Sequence, residues 1–198
     1  MKLDVTSSDF PESFAQFEKD AACHEMTILH NDGVYRHLRF KAHESSQYWF
    51  DILTAPMLLT IHGDMGTFVF ERLPDMLDFF RSYDINPDYW GSKLVAGKDE
   101  SNQFSHAAFK SHVAEHFANS YFESEDERAE TIAAFDESIK FTDLESGESA
   151  IEALYNFEYG DFSFQDSWEW DLTEPSPRFL WCLHAIRRAI AQYDGAQS

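Results

Sequence analysis

Between Tyr121 and Ser176 the chain carries 17 Asp and Glu residues against two cations, Arg128 and Lys140, a net −15 out of −21 for all 198 residues. Moving an unpaired carboxylate out of water costs several kcal/mol, and two cations cannot pair 17 acids. Whatever this segment folds into must therefore hold nearly all of its acid at the surface. The same segment contains Tyr155, Phe157, Tyr159, Phe162, Phe164, Trp168 and Trp170, and disordered acidic tails lack aromatics of this kind. The segment reads as folded, with a concentrated field of one sign around it. Such a field bears on partners more than on folding.

The remaining 142 residues share a net charge of only −6. The length suits one domain with its own core, here a sheet-containing half over 1–97 and an acidic, mainly helical half over 102–198, joined by a linker from Gly97 to Asn102. Cys23 and Cys182 announce neither a disulfide framework nor a thiolate metal site, and read as small core residues in a reducing compartment. The start MKLDVTSSDF has no basic segment ahead of an apolar one, and no run approaches ~18 apolar residues. The expectation is a protein of the cytoplasm with no membrane contact. Its charge also opposes direct binding to nucleic acid.

Ser8 or Asp9, followed by Pro11 and Glu12, predicts a helix start, with Phe10, Phe14 and Phe17 recurring toward an end near His24. Val34–Phe40, Tyr48–Leu53, Met57–His62 and Thr67–Glu71 are short runs rich in β-branched and aromatic residues, predicting an antiparallel sheet of three or four strands. Gly63-Asp-Met-Gly66 reads as a four-residue hairpin loop. A phosphate-cradling role would need the longer P-loop spacing and its Lys, which are missing.

Pro74–Arg81 and a segment capped by Asn86 predict short helices. Longer ones follow over 104–121, with Phe109, Val113, Phe117 and Tyr121 as its stripe, and over 125–141, with Ile132, Phe135 and Ile139. A further helix is expected over 148–155. Ser176 and Pro177 start a last helix with the stripe Phe179, Leu183, Ile186, Ile190 and Tyr193, which closes the acidic half. Arg187 and Arg188 lie off that stripe, available to pair with the acid. The fold class is α+β.

The blocks His37-Leu-Arg-Phe40, Trp49-Phe-Asp-Ile-Leu-Thr-Ala-Pro56, Gly63-Asp-Met-Gly-Thr-Phe-Val-Phe70, Asp75-Met-Leu-Asp-Phe-Phe-Arg81, Phe179-Leu-Trp-Cys-Leu-His-Ala-Ile186 and Ile190-Ala-Gln-Tyr-Asp194 stand in that order. In this the chain resembles a family of uncharacterised accessory proteins from phages and prophages of enteric and related bacteria. The resemblance spans His37 to Asp194. It implies a mobile-element setting, in which inhibitors of host defence are common, and assigns no cofactor and no site residue.

Among catalytic patterns, His112-Val-Ala-Glu-His116 is the sharpest. Two His four apart share a helix face, so they could hold one zinc with Glu115 as general base, in a zinc-dependent hydrolase. A third ligand is not specified by the sequence, and a helix bearing surface histidines is the competing reading. Ser7 and Ser149 lack a nucleophile-elbow context. Adjacent pairs such as Asp136-Glu137 point in different directions from a helix and suit a solvated face. Phe162, Phe164, Trp168 and Trp170 suit a core or a partner-facing aromatic cluster.

A helix over 123–140 is ~27 Å long and nets −5, where B-DNA of that length carries ~16 charges. One helix is too dilute to imitate DNA unless the segments 143–152 and 158–174 join it. The leading expectation is a non-enzymatic inhibitor in the host cytoplasm, acting on a defence complex with a basic nucleic-acid-binding surface, such as a CRISPR surveillance complex or a restriction system. Its interface candidates are Glu123, Glu125, Asp126, Glu127, Glu130, Asp136 and Glu137. A structural or regulatory phage protein, its acid serving solubility, is the third reading. Homo-oligomerisation is compatible with all three.

Overall fold

A computed structural model describes residues 10–81, 84–140, 142 and 144–197; the expected cap at Ser8 or Asp9, Phe141 and Asp143 lie outside these. In chain order the elements are α1 (Pro11–Asp20), β1 (His24–Asp32), β2 (Tyr35–Ala42), β3 (Phe50–Ala55), β4 (Leu58–Gly63), β5 (Gly66–Glu71), α2 (Met76–Arg81), α3 (Pro87–Gly91), β6 (Leu94–Ala96), α4 (Lys98–Ser101) and β7 (Asn102–Phe104). They continue with α5 (His106–Asn119), α6 (Glu125–Ile139), α7 (Gly147–Tyr155), β8 (Glu158–Tyr159), β9 (Phe162–Ser163), a 3₁₀ turn (Ser167–Glu169), β10 (Thr173–Pro175) and α8 (Pro177–Ala196). Helices and antiparallel strands are both present, and the sheet of the N-terminal half has six strands in sequence order. The expected three or four strands are corrected to six.

The chain forms two compact units, 1–102 with 175–198, and 103–174. The last helix belongs with the sheet, which corrects its assignment to the acidic half.

Alternation builds the first unit. Leu38 and Phe40 on β2, Phe50 and Ile52 on β3, Leu59 and Ile61 on β4, and Phe68 and Phe70 on β5 are all buried, each pair two residues apart. Successive strand side chains point to opposite faces, so this spacing turns one apolar face inward. Met76, Leu77, Phe79, Phe80 and Trp90 pack against that face, as do Phe17 of α1 and Phe179, Trp181, Leu183, Ile186 and Ile190 of α8. Helix α8 is buried well beyond its expected stripe, since Trp181, Cys182, His184, Ala185, Arg187 and Ala189 are buried as well. Arg188 bonds Glu18 and the carbonyl of Ala21, with its guanidinium over the Phe17 ring, so its partners are on α1 and not in the acidic segment.

β1 and β6 were not foreseen. β1 begins where the first helix was expected to end, because α1 stops at Asp20, and it is an edge strand whose residues are mostly exposed. The β4–β5 loop is tighter than expected: Gly63 pairs with Gly66, leaving Asp64 and Met65 at the tip. Gly63 is required by close approach, since a Cβ there would lie 2.1 Å from the carbonyl oxygen of Trp49. Asp64 holds the neighbouring loop through its carboxylate, which accepts from the Tyr48 amide at 2.7 Å. That is a structural use of the loop. Cys182 is buried as read, but Cys23 is exposed, which corrects its placement in the core.

Two buried polar groups anchor this unit. Asp51, 4% exposed on the face of the sheet away from α8, accepts from His37 at 2.8 Å and from Arg39 at 2.9 and 2.8 Å. Burial pushes its pKa up, but the hydrogen bonds from Arg39 and His37 outweigh burial and the net shift is downward. His184 packs against the rings of Phe14 and Phe17, and its Nε2 has no hydrogen-bond partner among the described residues. Burial, with Arg187 adding to it, lowers its pKa to about 4. The unfolded chain takes up this proton near pH 6.5, so the stability from a neutral His184 is complete above that pH and falls as pH drops toward 4. The shift corresponds to about 3 kcal/mol. Hydrogen exchange of α8 amides should show that loss between pH 7 and 4, and His184→Leu should flatten the part of the pH slope that begins near 6.5.

Candidate protein-binding surface of the acidic unit

The unit spanning 103–174 holds 18 Asp and Glu against Lys110, Arg128 and Lys140, a net −15. Its core is small and aromatic. Phe109 and Phe117 of α5, Phe135 of α6, Ala150 and Leu154 of α7, and Phe157, Phe164 and Leu172 are buried together, with Val113, Ile132, Ile139 and Phe162 packed against them. The rings interlock: Phe117 stacks on Phe162 at 4.8 Å between centroids, and Phe135 lies 4.9 Å from Phe164. Each helix turns its apolar side to this cluster, so the opposite side carries the charge.

Local signals fix the helix starts. Ser105, Ser124 and Ser146 each accept a backbone N–H in the first turn of α5, α6 and α7. Ser146 and Ser149 bond reciprocally as a capping box. Carboxylates share this work. Glu127 accepts from the Glu123 amide at 2.6 Å, closing the entry to α6. Glu174 accepts from the Ser105 hydroxyl at 2.7 Å and from Gln103 at 3.1 Å, and these two bonds, Ser105 first, draw its pKa down.

Of the seven interface candidates, Glu123, Glu125, Asp126, Glu130, Asp136 and Glu137 are exposed and Glu127 is half-buried. On a helix turning 100° per residue, Asp126, Glu130 and Glu137 fall within one narrow stripe, and Glu125 and Asp136 lie together beside it. The structure thus brings most of the α6 candidates onto its outward side. It also gives three of the seven a local use: Glu127 as a cap, Glu125 3.8 Å from Arg128, and Glu137 3.2 Å from Lys140. Both ion pairs are exposed at their carboxylates, and such pairs contribute little. The acid of α7 and of the segments after it, Glu148, Glu152, Glu158, Asp161, Asp166, Glu169 and Asp171, is exposed as well. Among the described acids of this unit, Glu127 is the one that is not fully exposed.

His112 and His116 do share one side of α5, and what they meet is aromatic. His112 stacks on Trp170 at 5.2 Å and 16°, while His116 lies 5.1 Å from Phe164 and 5.6 Å from Trp170. Among the described residues, no group of three or more His, Cys, Asp or Glu converges as a metal site. Glu115 is exposed. The arrangement performs packing.

Exposed aromatics were the feature least visible in the sequence. Tyr121 is 88% exposed, which corrects its place in the α5 stripe, and Tyr155 and Trp168 are 75% and 64% exposed. The alternating run splits: Phe164 is buried, Phe162 and Trp170 are half-buried, and Trp168 projects outward. Large rings standing in water among carboxylates are the anchor type that protein interfaces favour. Compared with known proteins, the chain matches no family model, no curated protein and no solved structure at a significant level. Among the described residues no helix is long and apolar enough to cross a membrane.

Cap and surface acids should separate in stability. Glu127→Ala should cost about 1 kcal/mol by losing the α6 cap, whereas Glu130→Gln should stay within about 0.5 kcal/mol of the parent. Denaturant unfolding followed by exchange of α6 amides measures both.

Proposed function

We propose that this chain is a phage-encoded, non-enzymatic inhibitor of a host defence complex that binds nucleic acid, and that its acidic unit competes for the basic surface of that complex. The observation carrying this reading is the placement of charge: a net −15 over 72 residues, its described acids all exposed but Glu127 around a shared aromatic core, with ion pairs to Arg128 and Lys140 among the described residues. A compact domain of 72 residues has a radius of gyration of about 11 Å and so is about 29 Å across. B-DNA of that length carries about 17 charges. The total is comparable, although a partner touching one side meets only part of it. The resemblance of the sequence blocks to phage accessory proteins supplies the setting, and Tyr121, Tyr155 and Trp168 supply apolar contact area within the acidic surface.

The test is displacement. Added to a purified CRISPR surveillance complex or restriction enzyme carrying labelled duplex, the chain should release the duplex, and its affinity should fall steeply between low and physiological salt. Glu125→Gln, Asp126→Asn, Glu130→Gln, Asp136→Asn and Glu137→Gln together should weaken it at least about tenfold with thermal unfolding unchanged. This set omits Glu123 and Glu127, whose backbone and side chain close the helix entry. Affinity that survives the five substitutions would rule out the α6 surface, and a lysate pull-down that recovers only phage structural proteins would favour the structural reading instead.

A further inference from the structure

A cavity with a volume of about 630 Å³ opens between α6 and α7. Ile139, Ala153 and Phe157 give its lining apolar surface, serine and threonine side chains give it about as much polar surface, and Glu152, Glu158 and Tyr159 line it too. Among the described residues no Lys, Arg or His lines it. Glu152 and Glu158 are exposed, and their carboxylates have no recorded ion pair or hydrogen bond among the described residues. Two further features favour a cation here. Asn156, the C-terminal cap of α7, lines the cavity, and the last turn of α7 has no basic residue to offset the partial negative charge of the helix end. Tyr159 offers a half-exposed ring face of the kind that holds guanidinium groups.

Carbon surface beside two carboxylates and an aromatic ring matches one side chain above others. Arginine has an aliphatic stem that packs on carbon and a weakly hydrated planar head that bonds carboxylates and stacks on rings. Lysine shares the stem but carries a compact, strongly hydrated charge. We infer that the α6–α7 cavity is an arginine-reading pocket, and that an arginine of the basic partner inserts between Glu152, Glu158 and Tyr159. This rests on the reading of the acidic unit as a protein-binding surface and deepens it, since a basic channel evolved to hold phosphates is rich in arginine.

The probe is an oligoarginine peptide, with an oligolysine peptide of equal length as comparison, titrated into the ¹⁵N-labelled full chain. Saturable shifts are expected at the amides of Ala134, Ser138, Asn156 and Tyr159, with arginine binding several-fold tighter than lysine. Glu152→Gln with Glu158→Gln should weaken oligoarginine about tenfold and Tyr159→Ala about fivefold. Ala153→Leu, which narrows the cavity without changing charge, should also weaken it about fivefold. Glu125→Gln with Asp126→Asn, on the outward side of α6, should cost only about two- to threefold. Because Glu152 and Glu158 are exposed, their double variant keeps the fold even if Ala153→Leu does not. If the cavity amides stay still, or the α6 pair matters more than the cavity pair, the arginine pocket is overturned while the acidic-surface reading stands. If neither peptide binds at low salt, both readings fall.

Discussion

The fold depends on a helix that arrives last. Helix α8 brings Phe179, Trp181, Leu183, Ile186 and Ile190 to the apolar face of a sheet finished some eighty residues earlier in the chain. Without it the sheet would expose Phe40, Phe50, Phe68 and Phe70, and burying a Phe side chain stabilises by about 1.5–3 kcal/mol. Everything between Gln103 and Glu174 is therefore an insertion into a domain whose core closes around its two ends. The crossings are adjacent, because β7 and β10 pair with each other, and chain ends that lie close together are where insertions are tolerated. The sheet unit can keep its core while the inserted unit varies its surface. The sheet unit has a net charge of only −6 and contains built ion pairs: Arg36 with Asp75, Arg39 with Asp51 and Arg81 with Asp194.

What could be seen in the sequence follows from how local each signal is. Strands β2 to β5 were legible because Leu38 and Phe40, or Phe68 and Phe70, alternate with polar neighbours over a few residues. β1 and β6 were not, because an edge strand such as His24–Asp32 buries little and leaves no alternating mark. The serine caps of α5, α6 and α7 lie within a turn of what they cap. The membership of α8 does not: its stripe shows that it faces a core, and nothing local shows which one. Burial of His184 and Arg187 was hidden for the same reason, since polar residues off a stripe read as solvent-facing until a second layer covers them.

The candidate surface divides along the same line. That the acid is exposed follows from its quantity, so the exposure of the α6 candidates was legible in the sequence, and Asp126, Glu130 and Glu137 fall on one stripe. Which carboxylates the fold itself uses could not be read, because Glu127 reaching the Glu123 amide, or Glu174 held by Ser105 and Gln103, depends on where two stretches of backbone meet. The pair His112 and His116 shows the converse. Their spacing correctly put them on one side of α5, but a metal site also needs groups from other elements, and Trp170, Phe162 and Phe164 come to that side instead.

On the proposed reading, two kinds of acid would serve recognition differently. Carboxylates on the outer side of α6 stand in high dielectric, where a charge pair is weak at contact yet acts over about a Debye length, roughly 8 Å in physiological salt. Their influence falls on encounter rate and partner class. Glu152 and Glu158 line a cavity that Ile139, Ala153 and Phe157 also line, so a cation entering it would leave part of its water behind and interact in a lower dielectric. A contact of that kind acts on dissociation and can discriminate between side chains, which a diffuse field cannot. The outer acid alone would attract any basic protein. Selectivity among them has to come from places where charge and apolar surface meet, and in this unit those places are the α6–α7 cavity and the exposed rings of Tyr121, Tyr155 and Trp168.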